Sequence, residues 1–101
     1  MIKIDIKKDQ IIISGHSGYS VSGSDIVCAS VSSIAITSIN AILRIDENAI
    51  TYKKEDGFLE INILKHTNTI DSLIENMIDL FSELEMQYEK NIKINKEVTY
   101  E

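Results

Sequence analysis

Cys28 is the sole thiol of this chain, and His16 lies upstream of it across a stretch rich in glycine and serine. The two segments read Ser14-Gly15-His16-Ser17-Gly18-Tyr19 and Gly23-Ser24-Asp25-Ile26-Val27-Cys28-Ala29. A cysteine attacks as its thiolate, and a helix N-terminus stabilises that anion through its dipole and its unpaired N–H groups. A histidine brought up by a loop can take the thiol proton and later return it to a leaving group. The pair therefore offers nucleophile and base. Plainer uses exist for each residue. Cys28 serves equally as a small hydrophobe at the start of a core helix, and His16 as a loop histidine bonded to the backbone. Asp25 is at least a helix cap. Ser32 stands one helical turn beyond Cys28 on the same face, where its hydroxyl can reach the thiol or bond the preceding turn. His66 has no partner in view and reads as structural.

The elements that must hold these residues follow from periodicity. Ile2, Ile4 and Ile6 alternate with charged residues, the period of a half-buried strand, and Ile11-Ile12-Ile13 begins its hairpin partner after the polar Lys8-Asp9-Gln10. That second strand delivers the chain into a loop from Gly15 to Ser24, with Gly15, Gly18, Tyr19 and Gly23 as its flexible, substrate-facing members. Ser24 or Asp25 caps the next helix. With Asp25 as the cap, Cys28 takes the third helical position. The helix runs to about 44–46 and is apolar on nearly every side, so it is expected to be central, packed between a sheet and something else. Ile50–Lys54 and Phe58–Ile63 flank Glu55-Asp56-Gly57, a hairpin turn signal. A second helix is expected over about 69–89 with the stripe Ile70, Leu73, Ile74, Met77, Phe81, Leu84 and Tyr88. Ile92 and Ile94 mark a last strand, and residues 95–101 a loose polar tail after a domain spanning 1–94. The order ββαββαβ gives an α+β fold, an antiparallel sheet with two helices.

Composition narrows the function. At 101 residues the chain holds one domain, and 44% hydrophobic with 26% charged residues is globular rather than disordered. A net charge of −6 argues against direct nucleic-acid binding and permits a basic protein partner. One Cys and two well-separated His exclude a metal site of the usual kind, and nothing calls for a cofactor. A lone thiol fits a reducing, cytoplasmic setting, and no signal peptide is visible. Ser30, Ser32, Ser33, Thr37, Ser38, Asn40 and Arg44 interrupt the apolar run 26–45, which reads as a buried helix rather than a membrane span.

The two motifs together, followed by Val31-Ser32, Ser38-Ile39-Asn40-Ala41-Ile42, Asp56-Gly57-Phe58-Leu59 and Glu89-Lys90-Asn91-Ile92-Lys93-Ile94, resemble the ribosomal-processing cysteine protease family, called Prp. The likeness spans most of the chain. Ser17 and Ser20 depart from the pattern by small-for-small changes, and the tail after Ile94 matches nothing. The resemblance implies a cytoplasmic, homodimeric endopeptidase that removes the N-terminal extension of the twenty-seventh large-subunit ribosomal protein, a step in ribosome maturation. It assigns His16 as base and Cys28 as nucleophile, with Asp25 and Ser32 in support. Two other readings stay open, a non-catalytic ribosome-associated binding module and a redox-sensing thiol protein whose cysteine forms an intermolecular disulfide.

Overall fold

The computed structural model describes residues 1–15 and 22–97, and in residues 22–25 the backbone alone. The elements are β1 (Ile2–Ile6), β2 (Gln10–Ser14), α1 (Ser22–Ile45), β3 (Ile50–Glu55), β4 (Phe58–Ile63), α2 (Asn68–Gln87) and β5 (Ile92–Lys96). The α+β class and the order ββαββαβ hold. One sheet carries the strands in the order β3-β4-β2-β1-β5.

Isoleucine alternation sets the register. Ile4 pairs with Ile13 and Ile6 with Ile11 across β1 and β2, while Ile13 meets Leu59 and Ile11 meets Ile61 across β2 and β4. Each row of branched side chains thus lands on one face, and a slip of one residue would turn them all to solvent. Both helices cover that face. Val27, Val31, Ala35, Ile39 and Ile42 of α1 join Ile70, Ile74, Met77, Ile78 and Phe81 of α2 in a single core with the strands. The opposite face stays polar, with Gln10 Nε2 donating to Asn62 Oδ1 (3.0 Å) and Asn62 Nδ2 to Glu60 Oε2 (3.1 Å).

Four details differ from the sequence reading. The sheet is mixed rather than wholly antiparallel, because β5 runs parallel to β1 with Ile4 beside Ile94. The connection through α2 returns the chain to the far edge of β1, which a hairpin could not do. Pairing also continues past Ile94. Asn95 and Lys96 face Asp5 and Ile6, and Glu97 N–H donates to Ile6 O (2.9 Å), so the polar tail starts later than residue 95.

The third difference is where α1 begins. It starts at Ser22, so Ser24 and Asp25 lie inside the first turn rather than capping it, and Gly23 is helical rather than part of the loop. Serine, glycine, serine and aspartate in succession offer several near-equivalent starting points, and each residue added to an existing helix gains one hydrogen bond. The fourth is the burial of α1. A single stripe is covered, while Ile26 and Ile45 are 56% and 54% exposed, so within one chain the helix is not enclosed on all sides. The segment Ile26–Ile45 is long and apolar enough to cross a membrane by length and composition. Here its buried stripe forms the domain core.

Candidate active site

Cys28 is the seventh residue of α1, at the end of the second turn. Its neighbour Val27 is fully buried in the core, and Val31 and Ala35 continue the same inward stripe. Rotated from that stripe, Cys28 is half-buried and packs against the core edge. This is a correction to its expected place in the first turn. The dipole's influence fades within one turn, so the bare helix terminus acts on Cys28 less directly than a first-turn position would allow.

A cleft of about 480 Å³ opens beside the thiol. One wall is α1, through Cys28, Val31, Ser32, Ala35 and Ile36; Ile2, Ile13 and Leu59 form the floor; the β3–β4 turn, from Lys54 to Phe58, is the other wall. Lys54 pairs with Leu59, and Leu59 with Ile13, so Lys54 shares the core-facing row at the sheet's edge but stays exposed. An apolar floor with a charged rim is the ordinary lining of a binding cleft.

The structure brings Cys28, Ser32 and Gly15 to this cleft. Ser32 is exposed within it, one turn after the thiol. Gly15 has a defined place, unlike its expected role as part of a flexible loop. Its φ is +92°, and its N–H donates to Gly57 O at 2.9 Å. Asp25 lies three residues before Cys28 and so shares its helical face, but its side chain lies outside the described part, as does that of Ser24. His16, Gly18 and Tyr19 lie outside the described residues.

The wall of Lys54, Glu55, Asp56 and Phe58 escaped the sequence analysis. Its signal was present in the alternation of β3 and β4, but only the register across β2 assigns Lys54 to the cleft side. His66 also gains partners that sequence could not show. Its Nε2 sits 2.6 Å from Asp9 Oδ1 and its Nδ1 2.8 Å from Asp71 Oδ1. Hydrogen bonding to Asp9 first and Asp71 second raises its pKa above the ordinary histidine value. This cluster joins the β1–β2 turn to the start of α2, at the end of the sheet away from Ile2, Gly15 and the cleft.

Comparison with known proteins agrees with the geometry. The family described as cysteine protease Prp matches residues 1–93. The ribosomal processing cysteine protease Prp of Staphylococcus aureus, in strains Mu50 and NCTC 8325, is 31% identical over 104 aligned positions, covering 94% of this chain and 98% of the relative. Among solved structures, the S. aureus enzyme with a covalently linked product peptide superposes with a TM-score of 0.85 at 24% identity, covering 96% of this chain and all of that one. The same enzyme with a substrate peptide gives 0.82 at 22% identity, covering 95% and 97%. These superpositions establish the shared fold.

Proposed function

The chain belongs to the cysteine protease Prp family, and on that premise we propose that it is an endopeptidase in which Cys28 is the nucleophile and His16 the general base. Its substrate is the N-terminal extension of a large-subunit ribosomal protein, the twenty-seventh, and its setting is the cytoplasm. The observation that carries this reading is that the chain's one cysteine stands half-buried at the edge of an open cleft instead of inside the core.

The chemistry balances with these two residues. Cys28 Sγ attacks the scissile carbonyl, the carbonyl oxygen takes up negative charge, and His16 imidazolium then protonates the leaving amine as the C–N bond breaks. Water hydrolyses the resulting thioester, with His16 as its base. The oxyanion needs donors, and Cys28's own N–H is ill suited because only the first four N–H groups of a helix lack intrahelical partners. Ser22, Gly23 and Ser24 are the first three helical residues and supply such groups. Helical side chains lean toward the preceding turn, which directs Sγ back toward Ser24. Its N–H is therefore the donor we assign to the oxyanion. Histidine precedes cysteine in the chain, an order that triad-type chemistry tolerates because geometry decides it. Asp25 and Ser32 support the site from the same helical face, one turn before the thiol and one turn after it.

A homodimer fits the uncovered face of α1. Ile26, Ala29, Ser30, Ser33 and Ile34, with Leu84 of α2, border a shallow apolar groove on the outer side of the helices. A second copy laid there would remove that surface from water. Sedimentation at micromolar concentration should give twice the chain mass.

The deciding experiment is cleavage of a peptide that spans the extension. The wild-type chain should cut one bond, and Cys28→Ala should cut none while melting as wild type does. Turnover by Cys28→Ala would end the protease reading. Fast thiol alkylation near neutral pH without any peptide cleavage would favour a redox-sensing thiol, and slow alkylation at every pH an inert binding module.

A further inference from the structure

The two edges of the sheet differ in what closes them. At β5, pairing with β1 turns the main-chain groups of Ile92 and Ile94 outward, and both donors are taken. Ile92 N–H donates to Tyr88 O (3.1 Å) and Ile94 N–H to Glu85 Oε2 (2.7 Å). At β3 the register leaves the edge open. Ile63 N–H donates to Asp9 O and Gly15 N–H to Gly57 O, so the odd-numbered residues of β4 bond β2 and the even-numbered ones bond β3. Leu64 N–H donating to Ala49 O (2.7 Å) continues that alternation. The partners on β3 are Thr51, Lys53 and Glu55, which directs the N–H and C=O of Tyr52 and Lys54 away from the sheet. Among the described residues nothing bonds these four groups. Tyr52 is 48% exposed although it stands in the core-facing row opposite Ile61, so α1 leaves a strip uncovered beside this edge. The edge ends at Lys54 and Glu55, which line the cleft that holds Cys28.

We propose that the free edge of β3 docks the peptide substrate, whose extended main chain adds to the sheet as a sixth strand through Tyr52 and Lys54 and passes from Lys54 into the cleft beside Cys28. The inference rests on the protease reading. An extended chain is the ligand whose own alternating N–H and C=O groups match those left open here. Six residues of β3 offer it a run of about 20 Å that leads into the cleft. A second copy of this chain fits the edge less well. Two β3 edges paired so that Tyr52 of each copy met Lys54 of the other would set Lys53 against Lys53, and like charges directly opposite destabilise a strand pair. Side chains of the added strand alternate between the two faces of the sheet. Those on the core side lie toward the α1 wall, where Ser32 and Ile36 line the cleft, so every second substrate residue is read there.

The test moves a single N-methyl group along the extension peptide, deleting one main-chain donor at a time. Fluorescence anisotropy reads binding to Cys28→Ala, and cleavage is followed with the wild-type protein. A sheet edge uses peptide donors at every second residue in either strand orientation. Affinity should therefore fall by about fivefold or more at alternate residues on one side of the scissile bond, and by less than about twofold at those between. On the protein, Tyr52→Pro and Lys54→Pro each remove one outward N–H and leave the β3–β4 bonds in place. Proline is tolerated on an edge strand where its nitrogen faces solvent, and Thr51 and Lys53 already have the extended geometry that precedes proline. Each variant should raise KM by about threefold to tenfold, with kcat changed by less than about twofold. An N-methyl profile without a period of two would overturn the docking, and so would wild-type KM in both folded proline variants. Loss of the dimer mass in Tyr52→Pro would give the edge to a second copy and overturn it as well. Failure of the protease reading looks different: the wild-type protein would leave the unmethylated peptide uncut, while Cys28→Ala would still bind it with the alternating profile.

Discussion

The two helices differ over their first two turns. At α2, Thr67 stands in extended geometry and its Oγ1 accepts the N–H of Ile70 at 3.2 Å, Asp71 places a carboxylate in the first turn, and His66 ties the start to Asp9. Thr67 satisfies a terminal donor, Asp71 complements the dipole, and the His66 contact joins the helix start to the β1–β2 turn. At α1, the first turn is Ser22-Gly23-Ser24-Asp25, and the half-buried thiol lies on the following turn beside an open cleft. Glycine in that turn weakens the helix relative to alanine. The comparison teaches where this small domain spends its order. α2 is fastened at its start and along its stripe. α1 is fastened along Val27 to Ile42, and its second turn carries Cys28 at the cleft.

The largest expected effect breaks that division most sharply. Cys28→Ala should lower turnover by a factor on the order of 10⁴ to 10⁶, as losing a covalent nucleophile does elsewhere. Its thermal midpoint should stay close to wild type, since the side chain loses one sulfur at the edge of the core. Kinetics on the extension peptide and a melting curve measure both halves. Phe81→Ala is the counterpart on α2. Phe81 is completely buried, and removing its ring should cost about 3–5 kcal/mol through lost contacts and a cavity. Denaturant unfolding would show it. Activity per folded molecule should persist, because Phe81 lies outside the cleft lining. If Phe81→Ala abolished turnover in the folded state, α2 could no longer be described as purely structural.

Both regions were legible to different depths. The isoleucine alternation of β1, the Asp56-Gly57 turn and the stripe from Ile70 to Phe81 each depend on contacts close in sequence, and each appears as expected. The parallel pairing of β5 with β1 depends on where α2 returns the chain, and no local pattern encodes it. The start of α1 lies three or four residues before its expected place because Ser22, Ser24 and Asp25 are all cap-type residues, so the sequence signal is degenerate. Cys28 was recognisable as a candidate from its type and from the family resemblance, whereas its cleft was not. The wall opposite it, Lys54 to Phe58, is brought there by the β2–β4 register. Of the two partners of His66, Asp9 is 57 positions away in the chain and no local pattern points to it, whereas Asp71 is five positions on and comes within reach only once α2 starts at Asn68.

A middle-sized effect tests the fastening of α2 itself. Thr67→Ala removes the side-chain acceptor for Ile70 N–H and should cost about 1 kcal/mol. Turnover by the folded protein should be unchanged. A loss much smaller than this would mean that the cluster around His66 holds the helix start without the cap. The double change with His66→Gln would then exceed the sum of the two single changes.

The smallest effect concerns that cluster and its direction with pH. Asp9 and then Asp71 raise the pKa of His66 by hydrogen bonding to its charged form, and the Lys65–Asp46 ion pair at 3.0 Å lies next to it in sequence. A raised folded-state pKa means that folding favours the protonated ring. The contribution is therefore fully present below the unfolded value of about 6.5 and is lost as pH rises through the higher folded value. About a third of the His66 side chain remains exposed, so solvent and salt screen the attraction and the effect is modest. Wild type and His66→Gln should differ most in melting temperature near pH 5.5 and converge toward pH 9. Added salt should shrink the difference at the acid end. Turnover corrected for folded fraction should be the same in both proteins at each pH, because the cluster sits at the opposite end of the sheet from Cys28. A His66→Gln protein whose activity profile shifts with pH while its stability does not would couple the two ends of the domain, and the division between a fastened helix and a working one would fail.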